Sequence, residues 1–127
     1  MREAVLTISV VDDDRLCRDS MKRLLRSLGC TVETFASAAD FLKSPHRETT
    51  TCLIADIQMP EMTGLELYAR LLEGARAIPT ILITAYPDED VRAQALNKGI
   101  HGYLVKPFRE NELIAYVRSA LDDPKGV

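Results

Sequence analysis

A chain of 127 residues, 46% hydrophobic and 28% charged, matches one ordinary soluble domain and is long enough to bury a core without disulfides or a structural metal. Its 16 basic and 19 acidic residues leave a net charge of -3, which argues against a non-specific nucleic-acid surface and against a polybasic membrane patch. Cys17, Cys30 and Cys52 form no CxxC pair and stand apart from His46 and His101, so they read as free thiols in a reducing compartment.

The N-terminal run Val5–Val11 is apolar and β-branched. It is too short for a membrane span, and Asp12-Asp13-Asp14 follow where a signal peptide would carry small residues. A buried strand in a cytoplasmic chain is therefore expected. Cys17, Met21, Leu24, Leu25 and Leu28 then recur on one face of a helix that Gly29 stops. Val32–Phe35 predicts a second strand, and Ser37 caps a short second helix over Ser37–Leu42. Pro45 and the polar residues His46–Thr51 form a surface connection to a third strand, Cys52–Ala55. The rest of the chain continues the alternation: a helix over Gly64–Glu73, a strand Thr80–Thr84, a helix over Asp88–Lys98 ended by Gly99, a strand Gly102–Val105, and a helix over Glu110–Leu121 that stops before Asp123-Pro124. The third, fourth and fifth helices all read as amphipathic. No repeat or linker divides the chain, so residues 1–127 are expected to form a single domain.

Strands alternating with helices predict an α/β fold, a parallel sheet covered on both faces. With right-handed crossovers this becomes a flavodoxin-like (βα)5 three-layer sandwich of strand order 2-1-3-4-5, which binds ligands beyond the carboxyl ends of its strands. Polar residues collect at those ends: Asp12 and Asp13 after the first strand, Asp56 after the third, Thr84 at the end of the fourth, and Lys106 after the fifth.

Carboxylates brought this close repel one another unless cations are supplied, and a hard divalent ion, Mg2+ or Mn2+, together with a lysine meets that need. Asp13 and Asp56 are the expected direct ligands, with the backbone carbonyl of Gln58 as a third; Asp12 acts directly or through water. An ordinary aspartate, with a pKa of about 3.9, is ionised at neutral pH and attacks phosphorus without a general base. Lys106, Thr84 and the backbone N–H after Asp56 would then neutralise the transferred group. Taken singly, each residue has a plainer role. Asp12 to Asp14 suit a helix cap, Asp56 a turn before Pro60, Thr84 a strand, Lys106 a solvated surface and Tyr103 a packing position. Their joint placement at strand ends favours function.

The chain resembles the receiver domains of two-component response regulators over essentially its whole length. Four motifs carry the likeness: Val10-Val11-Asp12-Asp13-Asp14, Asp56-Ile57-Gln58-Met59-Pro60-Glu61-Met62-Thr63-Gly64-Leu65-Glu66, Ile83-Thr84-Ala85, and Gly102-Tyr103-Leu104-Val105-Lys106-Pro107-Phe108. The resemblance implies Asp56 as phosphoacceptor, Asp12 and Asp13 as the acidic pair for Mg2+, Thr84 as switch hydroxyl, Lys106 as phosphoryl-binding lysine and Tyr103 as aromatic switch. It also implies a sensor histidine kinase as phosphodonor and a cis Lys106-Pro107 bond. The partner-facing surface it implies is the fourth helix, fifth strand and fifth helix, which also allows a homodimer. Val32–Leu42 is similar to receivers of the nitrogen-fixation and nitrate regulator (FixJ/NarL-like) type. Such receivers precede a DNA-binding domain, so the chain is either a stand-alone receiver or part of a longer regulator.

Gln58 and Tyr86 flank the path of a hydrolytic water, and a ring at position 86 is expected to slow loss of the phosphoryl group. Two other functions use related parts. A Mg2+-dependent phosphatase with an aspartyl nucleophile needs a second aspartate two residues on, where Gln58 stands. A flavodoxin-like cofactor binder needs a glycine- or hydroxyl-rich phosphate loop in place of Asp12-Asp13-Asp14.

Overall fold

Short runs of Val, Ile, Leu and Thr with no polar face can satisfy both their side chains and their backbone only by pairing in the interior. The computed structural model, which describes residues 6–74 and 77–122, places them there. Strands β1 (Thr7–Val11), β2 (Thr31–Phe35), β3 (Cys52–Asp56), β4 (Thr80–Thr84) and β5 (Gly102–Val105) form one parallel sheet in the order β2-β1-β3-β4-β5. Every residue of β1, β3 and β4 is buried, whereas the edge strands are partly exposed. β3 runs one residue further than the apolar pattern indicates and ends on Asp56 itself. β1 begins at Thr7, and Val5 lies outside the described residues.

The connecting helices are α1 (Arg15–Ser27), α2 (Ala38–Lys43), α3 (Gly64–Leu72), α4 (Glu89–Lys98) and α5 (Glu110–Leu121), with a 3-10 turn at Pro45–Glu48. Their starts follow local chemistry. Asp14, Ser37 and Asp88 each accept a backbone N–H of the first turn, and Thr63 and Glu66 exchange hydrogen bonds as a capping box. α1 and α4 end at Gly29 (φ +89°) and Gly99 (φ +99°), left-handed positions that glycine adopts without strain. The Asp123-Pro124 stop expected after α5 lies outside the described residues.

Strand residues alternate between the two faces, so two cores form. Ile8, Val10, Ile54, Ile81 and Ile83 pack with Met21 and Leu25 of α1 and with Leu113, Val117 and Ala120 of α5. Val11, Leu53, Ala55 and Leu82 pack on the other face with Phe41, Leu67, Tyr68, Leu71 and Ala95 of α2, α3 and α4. This is the expected three-layer sandwich.

α4 departs from its expected amphipathic character. Only Ala95 is buried, Val91 is half-buried, and Leu96 is 44% exposed. Val91 and Ala95, one turn apart, make a narrow stripe of small contact area, and Leu96 lies about 100° around the helix from Ala95.

Phe41 anchors the six-residue α2, with no exposed surface and an edge-to-face contact to Phe35 at 5.4 Å. Phe41→Ala is expected to cost about 3–5 kcal/mol, read as a lower midpoint in urea unfolding at unchanged slope.

Candidate functional site at the carboxyl edge of the sheet

In a parallel sheet of this order the central strands release their chains at the same edge. Val11 pairs with Ala55, so the next residues, Asp12 and Asp56, stand side by side. Asp12 and Asp56 are buried while Asp13 is exposed, and one carboxylate oxygen from each lies within 4.8 Å of the others. Lys106 enters from the far side, where its N–H donates to the Thr84 carbonyl at 2.8 Å and its bond to Pro107 is cis, as expected. Its Nζ donates to Asp56 Oδ2 at 2.7 Å and to Asp12 Oδ2 at 3.1 Å.

The remaining carboxylate oxygens are held by backbone. Asp12 Oδ1 accepts from Asp14 N–H at 2.9 Å, and Asp56 Oδ1 accepts from Gln58 N–H at 2.8 Å. One correction follows. The N–H immediately after Asp56 is expected in the pocket, but Ile57 N–H donates to the Ile83 carbonyl at 2.7 Å as a continuation of the sheet, so the donor to the acceptor carboxylate comes one residue later. α3 closes the floor. A Cβ on Gly64 would lie 2.5 Å from the Asp56 carbonyl oxygen, so only glycine lets this helix start against the Asp56 peptide.

Charge in the pocket is unbalanced, with one ammonium against three carboxylates. Burial pushes the Asp56 carboxyl above its ordinary value. The Lys106 and Gln58 hydrogen bonds oppose that rise and the charge of Asp12 adds to it. The expectation of an ordinary, unperturbed aspartate is corrected on this point. Burial works against the Lys106 charge, but its hydrogen bond to Asp56 and the charge of Asp12 outweigh it, and the ammonium is held well above the usual lysine range. Such a donor set, hard oxygens in excess of positive charge, suits a divalent cation of the Mg2+ class. Nearby Cys17 is pushed up to about 12 by burial and by its hydrogen bond to Asp12, so it remains a neutral thiol. All three cysteines are free.

Thr84 is fully buried, and its hydroxyl is engaged by residues other than Asp56. Its hydroxyl donates to Gln58 Oε1 at 2.7 Å and accepts from Tyr86 N–H at 2.9 Å. Tyr103 is half-buried, and its hydroxyl accepts from Asp88 N–H at 3.3 Å. Tyr86 is 73% exposed and brings its backbone, rather than its ring, to the Thr84 hydroxyl. The sequence-based reading places Gln58 beside the path of a hydrolytic water but does not connect its side chain to Thr84, and it passes over Arg18, whose Nη1 donates to the Asp12 carbonyl at 2.7 Å.

A 2-1-3-4-5 parallel sheet that gathers acids, a hydroxyl and a lysine at its carboxyl edge defines a signalling module of the response-regulator class rather than a metabolic enzyme. The chain belongs to the response regulator receiver domain family, whose model matches residues 8–118. It is 38% identical over 121 residues to the response regulator protein TodT of Pseudomonas putida, covering 95% of this chain and 53% of TodT. The response regulator StyR superposes with a TM-score of 0.85 at 39% identity, over 93% of this chain and 60% of StyR. FixJ-N superposes at 0.82 with 29% identity, over 96% of each chain, in keeping with the regulator type that Val32–Leu42 indicates. The chain spans about half the length of TodT. The phosphatase and flavodoxin-like alternatives give way to the receiver assignment. Among the described residues no helix is long and apolar enough to cross a membrane.

Lys106→Met leaves Asp12 and Asp56 without their shared cation and is expected to cost about 3 kcal/mol at pH 7. The sign of its pH dependence follows from Asp56. Without the ammonium its folded-state pKa rises further, so the variant's folded state binds more protons than its unfolded state, and the cost shrinks as pH falls from 7 to 5. Urea unfolding at both pH values checks this; a cost independent of pH would remove Lys106 as the counter-charge.

Proposed function

We propose that this chain accepts a phosphoryl group on Asp56 from a phosphohistidine of a sensor kinase, in a Mg2+-dependent step, and thereby changes the surface formed by α4, β5 and α5. The observation that carries the reading is the state of Asp56. It is a buried carboxylate at the end of a central strand, with one oxygen on the Lys106 ammonium and the other on Gln58 N–H, beside Asp12 and Asp13.

In the transfer, an Asp56 oxygen forms a bond to phosphorus as the bond from phosphorus to the donor imidazole nitrogen breaks, and that nitrogen keeps the electron pair. Lys106 stays protonated and follows the charge as it moves onto the phosphoryl oxygens, so no proton has to be removed from the nucleophile. A bound Mg2+ or Mn2+, held by Asp12, Asp13, Asp56 and the Gln58 backbone carbonyl, supplies charge neutralisation to the same oxygens. Thr84 is the switch hydroxyl and Tyr103 the aromatic that responds to it. The bias between the two states of such a switch needs to be only modest.

The output is either a further domain or a separate partner, with a homodimer through α4, β5 and α5 as one form of it. That TodT is nearly twice the length spanned here supports the first arrangement. The net acid excess supports a chain that makes no direct nucleic-acid contact of its own. Free thiols and a kinase donor support a cytoplasmic site of action. Residues 1–127 act as a single receiver domain in this reading.

Incubation with acetyl phosphate and Mg2+ is expected to add one phosphoryl group to the intact mass of the wild type and none to Asp56→Asn. An equal gain in both would move the acceptor elsewhere. Mg2+ at 100 times its dissociation constant is expected to stabilise the fold by about 2.7 kcal/mol, visible in thermal melts; a melting temperature indifferent to Mg2+ would count against the metal site.

A further inference from the structure

Thr84 stands one residue beyond Ile83, the register partner of Asp56 on the neighbouring strand. Its hydroxyl and the next backbone N–H are therefore the donors that β4 offers at this end of the pocket. Both are already engaged by the same atom. Thr84 Oγ1 donates to Gln58 Oε1 at 2.7 Å, and Ala85 N–H donates to Gln58 Oε1 at 3.3 Å. The partners fix which end of the amide faces them: a backbone N–H can only donate, so the atom it meets is the carbonyl oxygen and not Nε2. Thr84 Oγ1 in turn accepts from Tyr86 N–H at 2.9 Å, so the one proton of the hydroxyl is the one given to Gln58.

The other end of the same residue is equally committed, since Gln58 N–H donates to Asp56 Oδ1 at 2.8 Å. Gln58 thus bridges from the nucleophile to the switch hydroxyl. A partially negative oxygen on which a hydroxyl and an N–H converge is what a phosphoryl oxygen on Asp56 would present to β4.

We propose that the Gln58 side chain is an internal stand-in for the phosphoryl group, occupying the Thr84 and Ala85 donors until phosphorylation displaces it. The proposal rests on the reading of Asp56 as phosphoacceptor and Thr84 as switch, and it gives position 58 a role its backbone carbonyl does not. Gln58 is a positioning residue: it sets how much phosphoryl binding must outcompete before Thr84 moves. Being exposed, its side chain can leave for solvent when displaced.

The test uses beryllofluoride, a phosphoryl mimic, titrated calorimetrically in saturating Mg2+ against the wild type, Gln58→Ala, Gln58→Met, Thr84→Ala, Gln58→Ala/Thr84→Ala and Asp56→Asn. Methionine keeps the length of the side chain and removes its acceptor. Both single Gln58 variants are expected to bind about fivefold more tightly, equivalent to about 1 kcal/mol. In the Thr84→Ala background the gain from Gln58→Ala is expected to fall to about twofold or less, the coupling expected of two groups that share a hydrogen bond. Equal or weaker binding by both Gln58 variants overturns the proposal. So does a gain in Gln58→Ala that Gln58→Met lacks, which would make the effect steric, and so does a gain undiminished in the Thr84→Ala background. If the wild type binds no better than Asp56→Asn, the phosphoacceptor reading fails and the stand-in fails with it. If the wild type binds in an Asp56-dependent way and the Gln58 variants gain nothing, only the stand-in fails.

Discussion

The ammonium of Lys106, 2.7 Å from Asp56 and 3.1 Å from Asp12, is the interaction on which the rest of the pocket depends. Two buried carboxylates at neighbouring strand ends would otherwise repel one another in a medium that screens poorly. Lysine suits this position better than arginine would, because a compact point charge can serve two acceptors without a fixed fork geometry. It also has to be delivered from a distance of 94 residues along the chain from Asp12 and 50 from Asp56. Only the closed sheet brings those segments together, so the charge state of the site is a property of the whole fold.

That dependence runs both ways. The strand order places β1 and β3 side by side, and their register makes Asp12 and Asp56 neighbours. β4 and β5 then bring Thr84 and Lys106 to the same edge. The two cores hold this arrangement from opposite faces, with α1 and α5 below one set of strand residues and α2, α3 and α4 above the other. The residual charge, three carboxylates to one ammonium among the described residues, is what a divalent cation would neutralise. The small acidic excess of the whole chain is in this sense concentrated at one place.

Much of this was legible in the sequence for identifiable reasons. Buried parallel strands read as unbroken apolar runs, and the residues that interrupt those runs, Asp12, Asp56, Thr84 and Lys106, mark where the strands end. The capping chemistry at Asp14, Ser37 and Asp88 is local and equally readable, and the Thr63-x-x-Glu66 pattern could have been read as the capping box it forms. What escaped depends on three dimensions. Gln58 reaches Thr84 across 26 residues of sequence, and no spacing rule connects a loop amide to a hydroxyl on another strand. The turn after Asp56 directs Ile57 N–H into the sheet and Gln58 N–H into the pocket, a choice set by backbone geometry. Gly64 reads in the sequence as the glycine of the turn into α3, but the close approach of that helix to the Asp56 peptide is not visible there. The weakness of α4 was misread because residues of apolar type were counted without asking how much area they could bury.

The weak anchoring of α4 acquires meaning beside the hydrogen bonds of the loop before it. Tyr86 N–H is held by the Thr84 hydroxyl and Asp88 N–H by the Tyr103 hydroxyl, so the segment leading into α4 is tied at both points to the residues read as the switch. Asp88 is also the N-cap of α4, its side chain accepting from Asp90 and Val91 N–H. A displacement of the Thr84 hydroxyl therefore alters the partner of Tyr86 N–H first, and a rotation of Tyr103 alters that of the capping residue. The helix that follows buries only Ala95 completely, so little packing opposes its adjustment. An element that must move is better held by a few polar ties, which can be exchanged one for another, than by a broad apolar face whose removal from the core would cost several kcal/mol. The narrow apolar stripe of α4 is in this light what the proposed switch would need rather than a defect of the fold.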